Sequence, residues 1–213
     1  MTRLRIEADY YAHQLAGCAH IASRRNGGFA ADMGTGKTVM ALTDWVARVN
    51  DPDASIDTLL VVAPNGVHRG WAEIHAPKHL RGDPVGLSFS TSGKLNLPDP
   101  ADQRLLIHAI TYDVLSRRDQ KREAELFRWM RYRKGVQLVL DESHRIKTPS
   151  ANRTRVCWLL GQNAKRVLIM SGTPTTQGLE DWYGQLRALG PRYLPAPTFT
   201  AFKSKYCIMG GLS

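Results

Sequence analysis

At 213 residues the chain is long enough to bury a sizeable core as one domain. Its 29 Lys and Arg against 19 Asp and Glu leave a formal charge of +10, which favours a polyanionic partner, nucleic acid before an anionic membrane surface. The longest apolar runs, such as Thr58–Ala63 and Val136–Leu140, are strand-sized, so no membrane span or membrane partner is expected. Cys18, Cys157 and Cys207 lie too far apart to suggest a zinc site or a disulfide scaffold, and Met1–Tyr10 is charged and lacks the apolar centre of a secretory signal. The expectation is a cytoplasmic protein with reduced thiols.

Asp9–Arg25 places Tyr10, Leu15, Ala19 and Ala22 near helical spacing and runs into Asn26-Gly27-Gly28, which reads as a helix with a glycine stop. Within it, Gln14 offers a donor and an acceptor together, as the edge of adenine requires. Gly28–Ala31 is an apolar lead-in to a glycine-rich turn, and Val39–Val49 is amphipathic: strand, turn, helix. Glycines there let successive amides point at one anion, and the helix contributes its positive N-terminal end. In this Ala-x-x-x-x-Gly-Lys-Thr pattern, Ala31 to Thr38, the residues Met33, Gly34, Thr35 and Gly36 form the cradle. Lys37 is placed to reach the β- and γ-phosphates and Thr38 to ligate Mg²⁺. Ala31 stands where the strict template has glycine.

Thr58–Ala63 is a continuous apolar strand, broken at Pro64-Asn65-Gly66 and followed by a helix over Val67–Leu80. Val85–Ser90 reads as a short strand, Ser92–Asp102 as a loop and Arg104–Thr111 as a strand. Val114–Arg133 reads as one strongly charged helix whose Arg and Lys residues make either a nucleic-acid groove wall or a solvated face. Val136–Leu140 is a buried strand with Asp141-Glu142-Ser143-His144 at its C-terminal end, where an open parallel sheet holds its ligand chemistry. There Asp141 would bind Mg²⁺ and Glu142 would polarise an attacking water. Ala164–Met170 is another strand, ending in Ser171-Gly172-Thr173-Pro174, whose hydroxyls can bond a neighbouring carboxylate or phosphate or simply make the turn. Leu179–Leu189 reads as a helix, Gly190–Pro197 as a proline-rich connection and Thr198–Cys207 as a last helix with Phe199 and Phe202 on one side.

This order of strands, helices and corners resembles the first RecA-like lobe of superfamily-two helicases and translocases, from about Tyr10 to Cys207, and fits the Swi/Snf-type branch best. The phosphate loop is similar to Asp-x-Met-Gly-x-Gly-Lys-Thr, with one residue fewer before Met33. Asp141–Thr148 reads Asp-Glu-Ser-His-Arg-Ile-Lys-Thr and resembles Asp-Glu-Ala-His-Arg-Ile-Lys-Asn, with Ser143 and Thr148 as departures. Gly172–Pro174 with Leu179–Tyr183 resembles Gly-Thr-Pro followed by a Leu-Glu-x-x-Trp/Tyr helix. The Leu-Glu-Asp-Trp-Tyr-Gly-Gln-Leu-Arg pattern looks like compact versions carried by bacteriophages and prophages.

The resemblance implies an α/β fold, a RecA-like P-loop lobe with a mostly parallel central sheet and helices on both faces. It implies an ATP- and Mg²⁺-dependent motor translocating on nucleic acid, DNA rather than RNA, by way of the polynucleotide backbone. Gln14 would read adenine; Lys37, Asp141 and Glu142 would carry the chemistry; Thr38 and Asp141 would hold the metal. His144, Ser171 and Thr173 would couple the nucleotide state to the track, which Pro64, Asn65, Thr111 and Tyr112 would contact. An RNA helicase, a restriction-type motor subunit and a non-catalytic nucleic-acid-binding lobe are the alternatives. No Gln-x-x-Gly-Arg-x-x-Arg signature follows Pro174. Residues 1–213 are therefore expected to be one N-terminal lobe of a longer protein whose second RecA-like lobe is its partner.

Overall fold

The computed structural model describes residues 4–91 and 93–207. In chain order they run Arg5–Ile6 (β1), Ala12–Ala22 (α1), Gly27–Ala30 (β2), Lys37–Asn50 (α2), Thr58–Ala63 (β3) and Val67–Gly70 (α3). A π-helical turn at Trp71–His75 leads to Ala76–His79 (α4), Leu80–Arg81 (β4), Val85–Phe89 (β5), Leu105–Thr111 (β6), Tyr112–Ser116 (α5) and Gln120–Tyr132 (α6). Then come Val136–Asp141 (β7), a 3₁₀ turn at Ser143–Ile146, Asn152–Asn163 (α7), Arg166–Ser171 (β8), Asp181–Leu189 (α8) and, after a 3₁₀ turn at Pro191–Tyr193, Phe199–Tyr206 (α9).

Six strands form one sheet in the order β2-β8-β7-β3-β6-β5, every neighbouring pair parallel, while β1 and β4 pair antiparallel beside it. Strands β3, β7 and β8 are buried at every residue, which is why they read as unbroken apolar runs. Successive side chains alternate between the two faces. Leu60, Leu138 and Val167 meet Trp129 of α6 and Leu160 of α7 on one face. Leu59, Val139 and Leu168 meet Leu42 and Trp45 of α2 on the other. The sheet is thus covered on both faces, and all its C-terminal strand ends lie along one edge. Helix α2 is pinned to that sheet by Asp44, which accepts from Arg166 at 2.5 and 2.6 Å and from Gln137 at 2.9 Å.

The fold departs from the sequence reading at definite places. Helix α1 ends at Ala22, and Gly27 and Gly28 lie inside β2 rather than stopping the helix. A Cβ on Gly28 would lie 2.5 Å from Ile169 Cγ1, so that glycine serves close strand packing. The inward face of α1 is Gln14 and Ile21, whereas Leu15 is 56% exposed and Ala19 and Ala22 face solvent. The single helix expected over Val114–Arg133 breaks into α5 and α6, because Asp119 accepts from the Arg122 N–H and caps a new start. Arg133 is not on an outer face: it is buried against Asp57 at 3.3 Å and donates to Thr58. Helix α7 and the β1–β4 pair had no counterpart in the reading of the sequence. Among the described residues no helix is long and apolar enough to cross a membrane.

Candidate nucleotide site and its surroundings

The loop from Ala31 to Gly36 leaves the C-terminal end of β2 and turns into α2. Gly34 and Gly36 both take left-handed backbone, at φ 79° and 82°, which a residue with a Cβ rarely adopts. Ala31 needs no such freedom. Its N–H donates to the Ser171 carbonyl at 3.2 Å, which ties the loop to β8, so alanine suffices where the template has glycine. Lys37 is only 8% exposed, and its Nζ donates to the carbonyls of Ala31 and Asp32 at 2.7 and 2.8 Å. Thr38 is half-buried in the first turn of α2 and Met33 is exposed at the loop tip.

Gln14 is brought against this loop from α1. Its Nε2 donates to the Thr35 carbonyl at 3.0 Å, and its Oε1 accepts from the Tyr11 N–H at 3.1 Å. His13 Nε2 meets the same Thr35 carbonyl at 3.0 Å. A Cβ on Gly36 would collide with Gln14 Nε2, so Gly36 also makes room for this brace. A cleft of about 780 Å³, lined in part by Ile6, Asp9, Gln14, Val39 and Lys78, opens beside it.

Two strands along the sheet, Asp141 ends β7. It is 7% exposed, and burial pushes its carboxyl above the usual range. The Trp71 indole, donating to Oδ2 at 3.0 Å, opposes that shift, the Glu142 charge adds to it, and the Lys37 charge again opposes it. Lys37 and Asp141 are thus within electrostatic reach of each other. An acid at a strand end, an ammonium within its electrostatic reach and a glycine loop opening a helix are the kinds of group that fit a magnesium-bound triphosphate.

Glu142 follows in left-handed backbone, φ 53° and ψ 55°, a conformation uncommon outside glycine. Its Oε2 accepts from the Ser171 hydroxyl at 3.2 Å and lies 3.3 Å from His144 Nδ1. His144 Nδ1 is 2.9 Å from Ser171 Oγ, which also accepts from the Thr173 N–H at 3.1 Å. Burial lowers the His144 pKa despite the Glu142 charge, which raises it. Glu142, His144, Ser171 and Thr173 thus form one connected group, joined through the Ser171 hydroxyl.

The expected track residues fare differently. Asn65 is exposed just past β3, whereas Pro64 is buried. Thr111 and Tyr112 are both buried, and their hydroxyls already have partners within the fold. Thr111 Oγ1 accepts from the Val114 N–H to cap α5, and the Tyr112 hydroxyl donates to the Asp141 carbonyl at 2.9 Å. Helix α6 runs from the C-terminal edge of the sheet back to the N-terminal start of β7, about 20 Å for its 13 residues. Its basic residues are therefore spread along the helix between the two edges. Two residues of this site were missed. Trp71 lies inside the helix expected over Val67–Leu80, with no signal in the sequence that it turns inward. Gln185 of α8 is fully buried and accepts from the Ser143 hydroxyl at 2.7 Å, which accounts for serine at that departure.

The SNF2-related domain family matches residues 12–208. The chain belongs to this family. It is 29% identical over 187 residues to the bovine (Bos taurus) SWI/SNF-related matrix-associated actin-dependent regulator of chromatin subfamily A-like protein 1, covering 88% of this chain and 18% of that protein. The Xenopus laevis protein of the same name is 30% identical over 178 residues, covering 84% and 16%. Helicase SWR1 of Mycosarcoma maydis is 29% identical over 177 residues, covering 82% and 9%. This SNF2-related chain thus spans less than a fifth of each of these relatives. A Sulfolobus solfataricus SWI2/SNF2 ATPase core solved in complex with dsDNA shares the fold with a TM-score of 0.64 at 21% identity, over 94% of this chain and 39% of that one.

Proposed function

We propose that this SNF2-related chain is the ATP-binding lobe of a DNA-dependent motor, hydrolysing ATP to ADP and phosphate and coupling that to movement along duplex DNA. The observation that supports it is that the left-handed glycine loop with Lys37 and the acid Asp141 both stand at C-terminal ends of parallel strands in one sheet, with the Lys37 charge acting on Asp141. In this reading Lys37 and the amides from Met33 to Gly36 bind the phosphates, and Gln14 reads the base. Thr38 and Asp141 would hold Mg²⁺, which when bound neutralises charge on the phosphates. Glu142 orients the attacking water and takes its proton, held for that task by Ser171 and His144. A second RecA-like lobe, supplied by the rest of a longer protein, brings the arginines that stabilise the transferring phosphoryl group.

Duplex DNA as the track is supported by the basic surplus, by exposed Asn65 at the strand edge, and by a neighbour of the same fold described in complex with dsDNA. The Leu179–Arg187 pattern supports, within this reading, a compact version of the kind carried by bacteriophages and prophages and working in the cytoplasm. The test is ATP turnover by the complete protein with duplex DNA, single strands or RNA added, beside Lys37→Ala. Duplex stimulation, with nucleotide binding lost in Lys37→Ala, is the expected result. Stimulation by RNA alone would overturn the track assignment, and absence of nucleotide binding in the unmutated protein would overturn the whole reading.

A further inference from the structure

Asp141 is gripped from both faces of the sheet by residues that the proposed chemistry does not use. Trp71, 1% exposed, packs among the α2-side core, and its Nε1–H donates to Asp141 Oδ2 at 3.0 Å. Tyr112, equally buried, packs in the opposite core, and its hydroxyl donates to the Asp141 carbonyl oxygen at 2.9 Å. Both follow strands that end on the site's edge, Tyr112 immediately and Trp71 after helix α3. Trp71 ends the stretch that leaves β3 through Pro64 and Asn65, and Tyr112 is the first residue after β6. Trp71 also begins a π-helical turn, the Ala76 N–H reaching back to its carbonyl, a local irregularity that concentrates at functional sites.

We propose that Trp71 is a positioning residue. It fixes which Asp141 oxygen is turned toward the nucleotide's metal, and together with Tyr112 it links movement of the two segments bordering the track to the metal-binding carboxylate. This rests on the motor reading above. The physical basis is that donors behind a metal-binding carboxylate set its orientation and basicity. A displacement of the Pro64–Trp71 stretch by bound DNA would be passed to the indole N–H, because only Gly66 and the short helix α3 stand between Asn65 and Trp71. The link is reciprocal: whatever DNA does to metal–nucleotide affinity, metal–nucleotide must do to DNA affinity.

The test uses the complete protein, a fluorescent ATP analogue and a short duplex. Trp71→Phe keeps an aromatic ring and removes the donor. Expected is a rise of about ten-fold in the Mg²⁺ concentration that half-saturates analogue binding. Analogue affinity without Mg²⁺ should be unchanged, and the effect of duplex on analogue binding should be reduced. A merely structural tryptophan would instead lower thermal stability and weaken binding equally with and without Mg²⁺. Tyr112→Phe, which removes only a hydroxyl, should reduce the duplex effect with a smaller Mg²⁺ shift, and it carries the test if Trp71→Phe fails to fold. Folded variants with Mg²⁺ dependence and duplex effect unchanged overturn the inference while leaving the motor reading intact. An unmutated protein that binds no analogue overturns both.

Discussion

Glu142 shows how a single residue is prepared by its neighbours. Its left-handed backbone is costly for a side chain with a Cβ, on the order of 1–3 kcal/mol, and persists only where surrounding contacts over-determine it. Those contacts are the Ser171 hydroxyl and the His144 ring, both on Glu142 Oε2. Glu142→Gln keeps the shape and loses the proton acceptor. ATP turnover in the complete protein should fall by about a hundred-fold or more, as expected for removal of a general base. Nucleotide affinity measured by equilibrium binding should be retained, and removing a negative charge beside Asp141 should not weaken the fold. A turnover rate unchanged in Glu142→Gln would reassign the water-activating role.

At the scale of elements, the 3₁₀ turn after β7 is fastened to α8 by a buried amide. Gln185 accepts from Ser143 and donates to the carbonyls of Pro174 and Asp181 at 2.6 and 3.0 Å, so one side chain joins the acidic corner, the Gly-Thr-Pro corner and the helix beyond. Ser143→Ala leaves the Gln185 oxygen buried without its donor, at a cost of about 1–3 kcal/mol. That loss should appear in thermal melts as a drop of roughly 2–4 °C per kcal/mol for a domain this size. Strands β5 and β6 meet at another buried polar group. His108 is fully buried, with Nδ1 2.8 Å from Ser88 Oγ and Nε2 3.2 Å from Ser90 Oγ. Burial first, and the nearby His68 second, lower its pKa from 6.5 to about 3. A depressed folded pKa means the contribution is complete above about pH 6.5 and is lost as the pH falls toward about 3. Urea denaturation at pH 7.5 and pH 5 should show stability falling by up to about 1.4 kcal/mol per pH unit from this residue. His108→Gln should flatten that slope.

The molecule as a whole is a scaffold with its chemistry along one edge. Parallel strands deliver Asp141, Ser171 and the Ala31–Gly36 loop to the same side, so residues far apart in the chain converge without further devices. In the proposed motor reading a second lobe brings the arginines, and such arginines raise turnover on the order of a thousand-fold or more in phosphoryl-transfer sites. The isolated chain should therefore bind nucleotide weakly and turn it over at least about a hundred-fold more slowly than the complete protein. Matched rates for the two, both abolished by Lys37→Ala, would show that this lobe is sufficient.

Much of this was written locally in the sequence. Apolar runs buried on both faces named β3, β7 and β8, and the glycine–lysine–threonine loop and the acid pair named the strand ends where the proposed site lies, because backbone conformation and functional groups there depend on nearby residues alone. What the sequence could not show was direction and partnership. Leu15 looked like a core residue and faces solvent, while Arg133 looked like surface and is buried on Asp57. Tyr112 looked like a track residue and Trp71 like one more residue of a helix, and both reach inward to Asp141. Each of those outcomes depends on a partner far away in the chain, and only packing the sheet between its two helical layers decides which side chain finds which buried acceptor.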